Sequence, residues 1–509
     1  MTDPVPSAPA PEPRSAKPVV GWLVFGAALI AVFLLGLLGA SILERRAEAK
    51  APQFMAVAVQ AYEADNAVWG KNYPRQYSSY LEMNDEAQAT RTKHGGSFKR
   101  DLLAETPANV ILFAGYAFAK DYNQARGHTY AVADVNATGR INAKQPDGTL
   151  AMSDKTPATC WTCKSPDVPR LMNKMGGAEH FYAAKAKDLQ KEVVHPIGCL
   201  DCHDEKTMAL RISRPALVEA IQKKEGRDIA QPGAASHQEM RTLVCAQCHV
   251  EYYFASAKPD GSPAKNYLTF PWSKGLKAED MEQYYRENTH TDWTHPISGA
   301  KMVKMQHPDY EVFQQGIHAA RNVSCADCHM PYRTEGGQKY ADHHLRSPLT
   351  NIANTCAQCH RGWSETEITT RVTAIQDKVA EGRHHAEAAL TKAHFDVAAC
   401  VEAGATAEEL QGVRDAIRWA QMRWDYVAAN NGMGFHAPQE CQRILAIAAD
   451  QAQQARLECV RILARKGFTG DVAYPDFSDK AKAQALIKLW IDRQSVPSLI
   501  GRAEPFALP

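Results

Sequence analysis

The chain has 509 residues, with 58 Lys and Arg against 57 Asp and Glu, and a net charge of +1 with histidine neutral. That balance argues against nucleic acid as the main partner, because such proteins normally carry a basic excess. The length allows a large core and two or three structural units. The informative counts are 13 Cys and 19 His. Ten of the cysteines form five C-x-x-C pairs, and four of those pairs run directly into His.

Residues 1–18 are rich in Pro, Ala and Ser, a composition that predicts disorder. Residues 19–43 carry no charge. A helix needs about 20 apolar residues to cross a bilayer, whereas the apolar part of a signal peptide is usually about 7–15. Length therefore favours a retained anchor. Ala47-Glu48-Ala49 also has the small-x-small look of a cleavage site. Arg14 and Lys17 on one side and Arg45, Arg46 and Lys50 on the other do not orient the segment. Either outcome exports the C-terminal bulk, to the periplasm.

Residues 51–155 show short helical patterns and many turn residues. From Cys160 to His360 the chain holds every C-x-x-C pair, is rich in Gly, Pro, Asn and Asp, and keeps little periodicity. This predicts loops and short helices wrapped around something that replaces an ordinary apolar core. From 364 onward helix formers dominate with a period near 3.6. One helix is predicted from about Glu365 to Val401, ended by Gly404. Thr406-Ala407-Glu408-Glu409 reads as a capping box opening a second, which Asn430-Asn431-Gly432 ends. Pro438 suits the first turn of a third, running to about Lys466. The expected fold is mainly α with few strands: a multihaem region over 51–363 and a long-helix region over 364–509.

The pattern C-x-x-C-H attaches c-type haem: each Cys forms a thioether and the His reaches the iron. The matches are Cys199/Cys202/His203, Cys245/Cys248/His249, Cys325/Cys328/His329 and Cys356/Cys359/His360. Intervals of 46, 80 and 31 residues between first cysteines do not suit paired zinc knuckles. A disulfide framework would explain the cysteines but not the histidines. Four electron-transfer haems need four more axial histidines. His128, His307, His318, His343 and His436 sit in distinctive local contexts, but spacing does not choose among them.

The fifth pair, Cys160-Trp161-Thr162-Cys163, runs into Lys164. Lysine binds iron only as a neutral amine, so a ligand lysine must lose its proton to the metal. The plain alternative is a solvated lysine beside a redox pair. One unusual ligand among five sites points to a haem with different work. Substrate chemistry needs an open axial position, whereas carriers fill both.

CWTCKSPDVPR at 160–170, the four C-x-x-C-H sites, VCAQCHVEYYF at 244–254 and KMQHPDYE at 304–311 resemble ammonia-forming cytochrome c nitrite reductase. FPW at 270–272, MEQYY at 281–285 and GIH at 316–318 extend the resemblance from about Phe113 to beyond His436. It implies five covalent haems c, Ca2+, and six-electron reduction of nitrite to ammonium at the Lys164 haem. It implies Arg140, Tyr252 and His307 as active-site residues. It implies Glu251 and Gln306 as calcium ligands through side chains, and Tyr252 and Lys304 through carbonyl oxygens, a set suited to a hard cation. By the same matching His343 serves the His203 haem, His128 the His249 haem, His436 the His329 haem and His318 the His360 haem. The family departs at Arg140, where TGRIN replaces a TLRTG-like sequence and the loop to Cys160 is longer. His307, with a reference pKa near neutrality, is the expected proton donor. Cys400, Cys441 and Cys459 match no motif and read as helix packing.

The resemblance also implies a homodimer through the long helices. The electron donor it implies is a membrane quinol-oxidising multihaem cytochrome or a small soluble one. The competing readings are a non-enzymatic electron-transfer cytochrome and a related multihaem enzyme acting on hydroxylamine or sulfite.

Overall fold

The computed structural model describes residues 18–48, 55–84, 93–94, 98–231 and 233–508. Of residues 1–18, expected to be disordered, 1–17 lie outside them, and Pro18 is the first residue of a helix. The chain divides into two compact units, Met1–Ala58 and Val59–Pro509. In the first, Pro18–Glu48 is one helix, and its Val19–Glu44 stretch of 26 residues is long and apolar enough to cross a membrane. At 1.5 Å per residue it spans about 39 Å, against roughly 30 Å of hydrocarbon.

In the second unit the three long helices form as predicted, and each end has a local cause. The first runs Glu365–Glu402 behind a reciprocal Ser364/Glu367 capping box. It stops where Gly404 turns left-handed (φ +86°) and Ala405 N–H donates back to Cys400 O at 2.9 Å. The second, Ala407–Ala428, opens on the Thr406/Glu409 box. The third, Pro438–Arg465, starts on proline. A fourth helix, Lys480–Ile491, lies beyond the predicted limit of about Lys466.

Among the described residues, strand is confined to four antiparallel two-stranded hairpins. Two of them place functional candidates. Asn142–Lys144 pairs with Leu150–Met152 just after Arg140, so the chain between Arg140 and Cys160 contains a hairpin. Tyr253–Ala257 pairs with Pro263–Thr269 immediately after Tyr252.

The compositional break at 364 is not a boundary of packing, since Val59–Pro509 forms one unit. The long helices bury their inner faces on the region before them. Gln421 Nε2 donates to Leu112 O (2.7 Å), and Arg414 Nε donates to Ser298 O (2.8 Å). The His394 ring stacks on His295 with centroids 3.7 Å apart. Trp424 packs against Phe113 at 5.8 Å. Cys400, Cys441 and Cys459 are fully buried among these helices, and the Cys400 thiol lies 3.4 Å from Cys459 O.

Candidate active site and haem cavity

The 160–363 region does not close on itself. It surrounds a continuous cavity of about 2660 Å³, lined by all ten cysteines of the C-x-x-C pairs, by Lys164 and by the four motif histidines. A pocket for one ligand is roughly 300–1,000 Å³. Divided among five groups this space is roughly 500 Å³ each, within that range.

The structure brings each C-x-x-C-H histidine opposite one other histidine. Ring centroids are 6.2 Å apart for His128 and His249, 6.3 Å for His203 and His343, 6.4 Å for His318 and His360, and 6.4 Å for His329 and His436. Two imidazoles on opposite sides of one metal need ~2 Å from metal to each nitrogen and about 1.1 Å more to each ring centre, so about 6.2 Å in all. The four spacings fit that geometry. Several rings are also held by the nitrogen that faces away from a partner. His203 Nδ1 pairs with Met208 O, His329 Nδ1 with Arg346 O and His343 Nδ1 with Ala341 O, each at 2.9 Å. His249 Nδ1 lies 3.4 Å from Asp309 Oδ2. Such contacts fix a tautomer whose Nε2 is free to bind metal. Burial pushes His128 down to about 3 and His343 and His436 down to about 4, which keeps these rings neutral, as a ligand must be.

The five motifs are neighbours. The thiols of Cys163 and Cys248 are close enough to shift one another's titration, as are those of Cys245 and Cys325. The Cys245 motif thus touches both the lysine motif and the Cys325 motif.

Lys164, Arg140, Tyr252 and His307 all line the cavity. Lys164 is near enough to Cys160, Cys163 and His307 to act on them electrostatically when protonated, and Arg140 acts on Cys160 in the same way. The Arg140 guanidinium lies over the Phe118 ring, 4.4 Å from its centre. That contact is worth about 0.5–1 kcal/mol and gives a side chain at the mouth of a hairpin a fixed seat. Burial raises the Tyr252 phenol well above its ordinary value, with Cys163, Cys160 and Tyr116 adding to the shift. His307 differs from the near-neutral donor expected. Burial lowers its pKa, and Lys164 lowers it further only while protonated, against a smaller upward pull from Asp309. Its ring is therefore neutral at physiological pH and donates as an N–H.

Three of the four expected calcium ligands are in mutual contact. Gln306 N–H donates to Glu251 Oε2, and Gln306 Nε2 lies 3.4 Å from Lys304 O. The Glu251 carboxyl is fully buried, and burial raises it well above the carboxylate range. Tyr285 O–H donates to its Oε1 at 2.7 Å. A buried carboxylate, a side-chain amide and a main-chain carbonyl are oxygen donors that suit Ca2+. Among the described residues no group of three or more His, Cys, Asp or Glu forms a cage, and this set holds only one carboxylate. The Lys304 side chain turns away into a buried ion pair with Asp425 at 2.8 Å.

Sequence reasoning did not single out Asp309, which joins His249 to the Asn431 turn through Asn431 N (2.8 Å) and Asn431 Nδ2 (2.7 Å). The clue was its place in KMQHPDYE, two residues after His307.

The cytochrome c552 family profile matches residues 65–498. The chain is 49% identical to cytochrome c-552 of Parabacteroides distasonis over 477 residues, 94% of this chain and 93% of the relative. It is 48% identical to that of Porphyromonas gingivalis over 480 residues, again 94% and 93%. Among solved structures, the cytochrome c nitrite reductase of Desulfovibrio desulfuricans superposes with a TM-score of 0.73 at 32% identity. The match covers 82% of this chain and 90% of that one. That structure is described as a catalytic subunit with two calcium sites.

Proposed function

Because the chain belongs to the cytochrome c552 family, we propose that it reduces nitrite to ammonium with six electrons and eight protons, releasing two waters, at a haem held by Cys160, Cys163 and Lys164. The observation that carries this reading is the lysine motif opening into the same cavity as Arg140, Tyr252 and His307. Support comes from the similarity to a nitrite reductase of known structure. The paired rings support four bis-histidine haems: His203 with His343, His249 with His128, His329 with His436, and His360 with His318.

Cys160 and Cys163 would hold the haem and Lys164 would bind its iron through a neutral amine; the bound haem would supply the electrons for reducing nitrite. Arg140 attracts the anion and stabilises charge gathering on its oxygens through charge-assisted hydrogen bonds. Tyr252, kept protonated by its raised pKa, donates to bound nitrogen oxides. Beside the bound anion His307 takes up a second ring proton and hands that proton to a leaving oxygen, returning to the neutral ring. The anion counters the burial that otherwise lowers its affinity for that proton. Glu251, Tyr252 O, Lys304 O and Gln306 would hold Ca2+, which ties together the loops carrying Tyr252 and His307 and raises the local potential. The contact between Cys163 and Cys248 gives electrons a short route from the His249 site.

The location is the periplasm, with Val19–Glu44 as a retained inner-membrane anchor. The donor is a quinol-oxidising multihaem cytochrome or a small soluble one. The protein acts as a homodimer, and exposed Leu457 and Val460 on the Pro438–Arg465 helix offer apolar surface for it. The test is ammonium yield from nitrite by the haem-loaded protein with reduced viologen. Six reducing equivalents per ammonium are expected. A protein carrying five haems that consumes no nitrite would be an electron carrier instead.

A further inference from the structure

The residue before the second cysteine occupies the same place in every attachment motif. In three motifs it is Thr162, Asp201 and Gln247, and these three meet on one dipeptide, Ser213-Arg214. The Arg214 side chain is wholly buried. Its Nε donates to Thr162 O at 2.6 Å. Its Nη2 donates to Ser165 O at 2.8 Å and to Asp201 Oδ1 at 2.5 Å, and its Nη1 to Ser213 Oγ at 2.7 Å. Ser213 N–H donates to Gln247 Oε1 at 3.0 Å, and Gln247 Nε2 donates to Asp201 O at 2.8 Å. The Ser213 hydroxyl lies 2.9 Å from Asp201 O.

The carbonyls that Arg214 grips bracket Lys164: one lies two residues before it and the other one residue after. A lysine side chain is a flexible four-carbon stem with no preferred aim, so its direction has to come from a fixed backbone. A planar guanidinium is suited to fixing one, because its donors leave in set directions. Metal ligands are in general oriented by a surrounding layer of hydrogen bonds. For a histidine ligand that layer can grip the second ring nitrogen. A lysine ligand has no second nitrogen, and the grip must move to the backbone.

We infer that Arg214 is the positioning residue for Lys164, and that Ser213-Arg214 sets the lysine motif against the Cys199 and Cys245 motifs. This rests on the reading of Lys164 as a haem ligand. A role limited to neutralising Asp201 would affect folding but not the lysine haem in particular.

The experiment uses the full-length, haem-loaded protein and reads the ferric electron paramagnetic resonance spectrum and the midpoint potential of each haem. Lys164→Ala identifies the signal of the lysine haem. If no signal changes in that variant, the lysine-haem reading fails, and this inference with it. Arg214→Gln is expected to keep all five haems by mass and leave the low-spin signals in place. The lysine-haem signal should shift or split, with kcat falling roughly 10–100-fold as for other outer-layer partners of metal ligands. Arg214→Lys is expected to resemble Arg214→Gln, since one ammonium cannot span four acceptors. A wild-type lysine-haem signal and potential in Arg214→Gln, or equal shifts at all five haems, would overturn the inference. Should Arg214→Gln not assemble its haems, Ser213→Ala decides. It keeps the guanidinium but removes one of its anchors, and a smaller shift confined to the lysine haem is expected. An unshifted signal would overturn the proposal.

Discussion

Single residues in this protein are constrained by what lies within a few ångströms across the chain. Gly316, in the GIH segment, shows this. A Cβ built there would stand 1.9 Å from the carbonyl oxygen of His436. Its backbone is an ordinary extended one (φ −95°), so the need for glycine is close approach and not conformation. Gly316→Ala is expected to displace the 436 segment and disturb the His329 and His318 sites. Loss of low-spin signal from about two of five haems, with the lysine-haem signal kept, is the predicted spectrum. Asp425 is a second case. Its partner Lys304 is fully buried, and Asp425→Ala leaves an ammonium with no counter-charge. That is expected to cost about 3–5 kcal/mol in urea titrations, whereas Lys304→Met with Asp425→Leu recovers most of it. Because Lys304 also carries a candidate calcium carbonyl, the single variant should bind Ca2+ more weakly as well.

At the scale of elements, the long helices are held by capping at their ends and by polar contacts along their inner faces. Thr406→Ala removes one half of a capping box and should cost about 1 kcal/mol. The inner face holds His394, whose Nδ1 meets Ser298 Oγ and Nε2 meets Gln421 Oε1, each at 2.8 Å. Burial pushes this ring from 6.5 down to about 4. A histidine with a depressed folded pKa contributes its full stability above the unfolded value and loses it as pH falls toward the folded one. The window here is pH 6.5 down to about 4. The whole shift corresponds to about 3 kcal/mol, and about 2 of that is lost between pH 7 and 5. His394→Gln is expected to lose correspondingly less between those two pH values, measured by denaturant titration at each. Equal losses in both proteins would show that other groups carry the acid lability.

At the scale of the whole molecule, the region from Cys160 to His360 is built both on the cavity and on an apolar core that includes Trp161, Leu171, Phe181, Leu217, Trp272 and Met302. Chelation of Ca2+ should therefore act on the catalytic wall and not on the haem scaffold. The prediction is a fall in nitrite turnover roughly 10–100-fold, restored by added Ca2+, with haem content and low-spin signals unchanged. The N-terminal helix belongs to the other compact unit. If it is retained, intact mass of the membrane fraction will include residues 19–43, and a chain starting at residue 51 will be soluble and equally active. A mature protein that begins at residue 50 would establish cleavage.

What the sequence determined by itself was everything written in neighbouring residues. The C-x-x-C-H and C-x-x-C-K patterns each lie within five positions, so five candidate attachment sites and the odd lysine are legible directly. Helix caps and the uncharged span are equally local, and the ends of all three long helices were readable for that reason. Only the tertiary structure decided what distant residues do together. The facing histidines lie from 42 to 140 residues apart, and no periodicity links them; resemblance to a family named the pairs, but spacing could not. The lowered pKa of His307 comes first from burial by residues far away in the chain. Arg214 looks like any surface arginine until folding buries it among three motifs. Covalent attachment and capping act over a few bonds, whereas axial pairing, burial and charge act through space.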